Sequence, residues 1–180
     1  NYVATRQNGD PAVFAFANQT FELPVIYRTA LSNLVPDTYL GDLLLGAVGR
    51  HVTRRSYFDA TDIGGANANQ FEIVLGWAGS RSDSYGRTVV QARLVTNPGG
   101  VLGGNDAASW SAYTSGRVDN VDYAYGTLDI GRVTRLPAGF AYVTQFSGLL
   151  GDQALPDTDQ LAIGGMMATR GYVLDDASVD

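Results

Sequence analysis

The chain has 180 residues and a formal net charge of −6, and its 12 basic side chains are all arginine, a balance that disfavours nucleic acid as a partner. It contains no cysteine, which removes disulfides, thiolate metal sites and cysteine nucleophiles, and no apolar run reaches the length of a membrane-spanning helix. Ten tyrosines and 22 glycines suit strands and turns, and closed β-barrels cross membranes on strands that are only alternately apolar.

In chain order, residues 2–6 read as the end of a strand before the turn Asn8-Gly9-Asp10, and residues 12–23 as the next strand. Residues 24–38 read as a long connection, and residues 42–55 are again strand-like. Neither of these two longer strand segments assigns a face to Phe14, Phe16, Leu44 or Arg50, because the alternation there is blurred. The clearest strand is 70–79, QFEIVLGWAG: Phe71, Ile73, Leu75 and Trp77 take one face, and Glu72, Val74, Gly76 and Ala78 the other. An apolar row ending in Trp fits lipid and its interface. In residues 87–96, Val90, Ala92 and Leu94 oppose Gln91 and Arg93.

Residues 107–117, AASWSAYTSGR, are expected to form a further strand. Residues 121–134 set Ala124, Gly126, Leu128 and Ile130 against Tyr123, Tyr125, Thr127 and Asp129, and residues 139–148 carry Gln145. Segments of about ten alternating residues between turns are the sequence signature of transmembrane barrel strands, and about seven are present. On that reading Glu72, Gln91, Arg93, Asp129 and Gln145 face the lumen. The turn 134–139 is short, whereas 151–180 is too long for an ordinary hairpin loop. The strand count predicts a fragment of one transmembrane antiparallel β-barrel domain, 1–180, that enters mid-hairpin and stops inside a loop.

Few residues point to chemistry. His51 is the only histidine, so neither a zinc site nor a serine triad has members to draw on, and it reads as a strand or rim residue. Asp157 and Asp159 in LPDTD are close enough for acid–base work, but loop acids read first as solvated. The pairs Gly64-Gly65, Gly99-Gly100, Gly103-Gly104 and Gly164-Gly165 lack the lysine of a phosphate loop and read as turns. No nucleophile, base and orienter occur at a readable spacing, so neither an enzyme nor a cofactor is expected.

The order of features from Asn97 onward resembles the hemolysin secretion/activation proteins, the outer-membrane transporters of two-partner secretion. It runs NPGG at 97–100 and then Asn105, YAYGTLDIGR at 123–132, RLP at 135–137, Gln145, LPDTDQLAIGG at 155–165 and TRGY at 169–172. Asp159-Gln160, Gly164-Gly165 and Arg170-Gly171-Tyr172 fill the places of the family's loop motif. Thr169 stands where valine is usual, and Met166-Met167 where small residues are common. Gly46, Arg50, Gln70 and GWAG fit less specifically.

The resemblance implies an all-β transmembrane barrel in a bacterial outer membrane, preceded by POTRA domains that capture a secreted exoprotein. It also implies that Arg170 lies on a loop folded into the lumen, paired with an acid on a later strand. Those domains and final strands are expected outside this chain. An arginine in a protein-walled, wet lumen makes a bidentate charge-assisted pair, Gly171 permits a close turn, and Tyr172 adds a rigid ring with a polar tip. Two other readings compete: a barrel-assembly or insertion factor of the same superfamily, which shares the Arg-Gly-Tyr loop, and a soluble β-sandwich binding module, which shares the alternation.

Overall fold

The computed structural model describes residues 2–8, 14–35, 40–59, 61–163 and 177–179, with side-chain surroundings for 15–35, 40–59 and 61–161. The chain is all-β. Seven strands form one sheet in which each strand lies beside the next: β1 (Tyr2–Asn8), β2 (Phe14–Ala30), β3 (Asp42–Phe58), β4 (Thr61–Asp83), β5 (Gly86–Asn97), β6 (Tyr123–Arg135) and β7 (Ala141–Gly151). The pairing of β1 with β2 and of β6 with β7 is antiparallel. A separate antiparallel ribbon joins β8 (Leu161–Ile163) to β9 (Ala177–Val179).

Two expectations are corrected. Residues 24–38 do not form one long connection, because β2 continues through Pro24 to Ala30. The described pairing with β1 ends at Phe21, so Pro24 lies where β2 has one described neighbour, a position that tolerates a missing N–H. Residues 107–117 are not a strand either, since α1 (Ala107–Thr114) replaces it. Asp106 caps that helix by accepting the Ser109 N–H at 2.9 Å, and Ser115 closes it at φ 57°. Trp110, Tyr113 and Thr114 share the buried side at helical spacing, a period that an alternating reading passes over.

The contacts fall into two compact units, and the long strands contribute to both. The first comprises Asn1–Val25, Ala47–Ile73 and Thr96–Tyr123; the second comprises Ile26–Gly46, Val74–Val95 and Ala124–Asp180. The first holds an apolar cluster of Val52, Ala68, Trp110, Tyr113, Val118 and Val121. Val52 and Ala68 are two residues from Arg50 and Gln70, so α1 packs on the strand face that those polar residues occupy.

β4 keeps the predicted alternation with its burial inverted relative to a soluble sheet. Gln70 and Glu72 are 0% and 1% exposed, while Ile73, Leu75 and Trp77 are 48%, 45% and 37% exposed. In the first unit Phe21, Leu23 and Val25 are likewise exposed. In the second unit Leu94, Leu128, Tyr142, Phe146 and Leu150 are exposed with Leu75 and Trp77. The register sets Ile130 opposite Phe146 and Leu128 opposite Gly148 on one face of β6–β7, and Asp129 opposite Ser147 and Gly131 opposite Gln145 on the other.

Candidate functional site

The buried polar face of the first unit centres on Arg50. Its Nε–H donates to Glu22 Oε2 at 2.7 Å, and its Nη1 donates to Glu72 Oε2 at 3.0 Å and to Gln70 Oε1 at 3.2 Å. Glu72 Oε1 accepts the Tyr123 hydroxyl at 3.0 Å and Gln70 Nε2 at 3.1 Å, and Gln70 Nε2 also donates to the Tyr123 oxygen. Side chains from β2, β3, β4 and β6 thus interlock in one hydrogen-bonded group. Charge-assisted bonds of this kind offset the cost of removing Glu72 from water and fix strand register, since a one-residue slip would send every member to the other face.

The chain between β5 and β6 is held just as closely. Asn97 Nδ2 donates to Asn105 Oδ1 at 3.1 Å and Asn105 Nδ2 returns to Asn97 Oδ1 at 2.9 Å, with both side chains fully buried. Asn97 Oδ1 also accepts the Gly99 N–H, and Gly99 and Gly100 have φ of 64° and 63°, as a turn through NPGG requires. Trp110 Nε1 donates to Asn69 O at 2.9 Å, and the Arg54 guanidinium lies 5.7 Å from each of the Phe16 and Tyr113 rings. The Ser109 backbone N–H, and then its hydroxyl, stabilise the Asp106 carboxylate and hold it below the usual aspartate range.

In the second unit Gln91, Asp129 and Gln145 come together along one groove, with Arg87 and Gly131 beside them. Ser147 Oγ donates to Asp129 Oδ1 at 2.7 Å, and both Gln91 and Asp129 are exposed. Arg93 is exposed as well, its Cγ at 3.4 Å from where a Cβ on Gly76 would stand, which places it on the buried face of β4 rather than beside Trp77. Glu72 lies on the face of β4 that alternation gives it, opposite the exposed Ile73, and is bonded within the Arg50 cluster. The outer face of β6 ends in charge, where Arg132 Nη2 donates to Asp83 Oδ2 at 2.9 Å and Nη1 to Thr88 Oγ1 at 2.7 Å.

Of the loop motif, Asp159 and Gln160 are described: Asp159 is buried and accepts the Tyr125 hydroxyl, and Gln160 Nε2 donates to Leu155 O. Gly164, Gly165, Arg170, Gly171 and Tyr172 lie outside the described residues. The sequence reading missed Arg50 as the hub and Tyr123 as its partner. The signal was present in parity, since Arg50 shares a strand face with Val48 and Val52, both buried. Among the described residues no group of three or more His, Cys, Asp or Glu is placed to hold a metal. No protein-family model, curated protein or solved structure matches the chain.

Proposed function

We propose that the chain is part of the outer-membrane β-barrel pore of a two-partner secretion system, which passes a hemolysin-like or adhesin-like exoprotein through its lumen. The observation that carries this reading is the inversion along β4. A strand that buries Gln70 and Glu72 while exposing Ile73, Leu75 and Trp77 suits lipid outside and a wet interior. Two features support it further. Exposed Trp77 lies before Asp83 on β4 and exposed Tyr142 pairs with Thr134, just past Arg132, so that aromatic rings stand on both sides of the charged Arg132–Asp83 pair, as at a membrane interface, and the long strands are joined as a meander.

In this reading Gln91, Arg93, Asp129 and Gln145 keep the channel wet and weakly adhesive to an extended chain, and Arg170 latches the lumen loop. The protein is a conduit rather than a catalyst, and bound lipid and the exoprotein are its partners. The test is secretion by cells carrying the intact protein or its Arg170→Ala variant, with barrel folding followed by heat-modifiable gel mobility. The expected result is a folded variant that retains the exoprotein inside the cell. Undiminished secretion would sink the latch, and a monodisperse, cooperatively melting protein in water without detergent would sink the pore.

A further inference from the structure

The segment after β7 turns at once onto β6. Ala124 N–H donates to Asp152 Oδ1 and Asp152 N–H donates to Ala124 O, both at 3.1 Å. Leu155 and Pro156 are fully buried, and Leu155 packs beside Gly151, where an added Cβ would stand 3.5 Å from Leu155 Cδ1, at van der Waals contact. The turn closes on itself through Asp159 N–H to Pro156 O at 2.9 Å and Gln160 Nε2 to Leu155 O at 3.3 Å. Tyr125, 8% exposed, donates its hydroxyl to Asp159 Oδ1 at 3.4 Å, where the aspartate is 7% exposed. One residue beyond Gln160 the β8–β9 ribbon begins, and its last pair, Ile163 with Ala177, brackets residues 164–176.

We propose that residues 152–160 form a fixed root docked on β6, with Tyr125 as the positioning residue that receives Asp159. The long loop then departs from Leu161 and not from the end of β7. The inference rests on the pore reading for its consequence, because there the loop's point of departure sets how its far end reaches the lumen. The physical argument is local. A carboxylate this buried is stabilised by each donor it accepts from, and the apolar seat of Leu155 holds it within reach of the tyrosine. Tyr125 also lies four residues before Asp129 on the same strand face, which puts the root on the polar side of β6.

Hydrogen exchange over residues 152–160 tests the root in the intact protein, compared among wild type, Tyr125→Phe, Asp159→Ala, Asp159→Asn and the Tyr125→Phe/Asp159→Ala pair. Tyr125→Phe or Asp159→Ala is expected to lower protection of the Asp159 and Gln160 amides about tenfold, the size of one buried hydrogen bond to a charged group. The paired variant should lose no more than either alone. Asp159→Asn keeps an acceptor for the hydroxyl and should restore most of the protection. In planar bilayers the two disrupting variants should show more frequent channel opening at an unchanged unfolding midpoint, which a merely structural contact would not produce.

Wild-type protection and channel behaviour in folded Tyr125→Phe would overturn the proposal, and if that variant fails to fold, Asp159→Ala is read in its place. A wild-type protein without any channel overturns the pore reading, while exchange, which needs only folded protein, still decides the root.

Discussion

The Arg50 cluster and the Asp129 groove are built by the same alternation and end in opposite physical states. Around Arg50, Gln70, Glu72 and Tyr123 are almost wholly excluded from solvent and donate and accept among themselves. Around Asp129 the polar residues stay open, with the Ser147 hydroxyl on the carboxylate and Gln91 and Gln145 along the groove. A polar residue on the polar face of a strand is therefore not by that alone open to solvent. Where four strands bring complementary groups together it is sequestered among them, and only where they do not is it left to meet water.

That contrast breaks most visibly at Arg50. Replacing it with methionine keeps most of the side-chain volume but leaves Glu72 buried without the guanidinium that bonds it. The expected cost is about 3–5 kcal/mol, as for other buried pairs broken from one side. The measurement is urea unfolding of the lipid-reconstituted protein, with Glu22→Gln as the milder comparison because the Glu22 side chain is more exposed than that of Glu72. A loss below about 1 kcal/mol, the size of a surface pair, would mean that the cluster is as wet as the groove.

Asn105→Ala tests the same logic without charge. It leaves the fully buried Asn97 amide short of its reciprocal partner, and a cost of about 1–3 kcal/mol is expected for a buried polar group so deprived. Local exchange should place the loss in the chain between β5 and β6. Equal loosening throughout the sheet would contradict that, because the pair closes a single turn.

How much was legible in the sequence follows from how local each signal is. The faces of β4 and of β6–β7 were readable because period-two alternation depends only on residues within one strand: Ile73 and Leu75 share the exposed face of β4, and Asp129 lies on the face of β6 opposite to that of Leu128. α1 was misread because AASWSAYT is short and its serines mimic alternating polar positions. The cues that identify it are Asp106 as an N-cap before Ala107-Ala108 and the three-residue step from Trp110 to Tyr113. For Arg50, parity reveals the face but not the partners: these are 28, 20 and 22 residues away in sequence, and only strand register brings them together. Asp159 read as a solvated loop acid because nothing near it in sequence reveals the Tyr125 hydroxyl.

The cap at Asp106 sharpens the comparison through pH. Its carboxyl titrates below the ordinary aspartate value because the folded chain bonds the charged form, so its contribution to α1 is fully present above the unfolded value of about 3.8 and disappears as pH falls through the lower folded value. Exchange of the Ser109 amide, corrected for intrinsic rates, should be unchanged between about pH 5 and 8 and accelerate only in acid. Asp106→Asn, which keeps the cap without the charge, should remove that acid dependence.

The smallest effect on stability belongs to the groove. Asp129→Asn and Gln145→Ala alter solvent-facing groups, so each should change unfolding free energy by no more than about 0.5 kcal/mol. Their effect should appear in transport. If the chain is part of the proposed pore, an exposed carboxylate on its inner face raises the local concentration of cations, so Asp129→Asn should shift the reversal potential of the reconstituted channel in a salt gradient toward anions, and the shift should shrink at high ionic strength as the charge is screened. Gln145→Ala, which removes no charge, should leave the reversal potential where it was. If both variants shift it alike, the groove acts in that pore through its shape; if Asp129→Asn instead destabilises the protein as severely as Arg50→Met, the groove is as sequestered as the cluster and the distinction between the two regions fails.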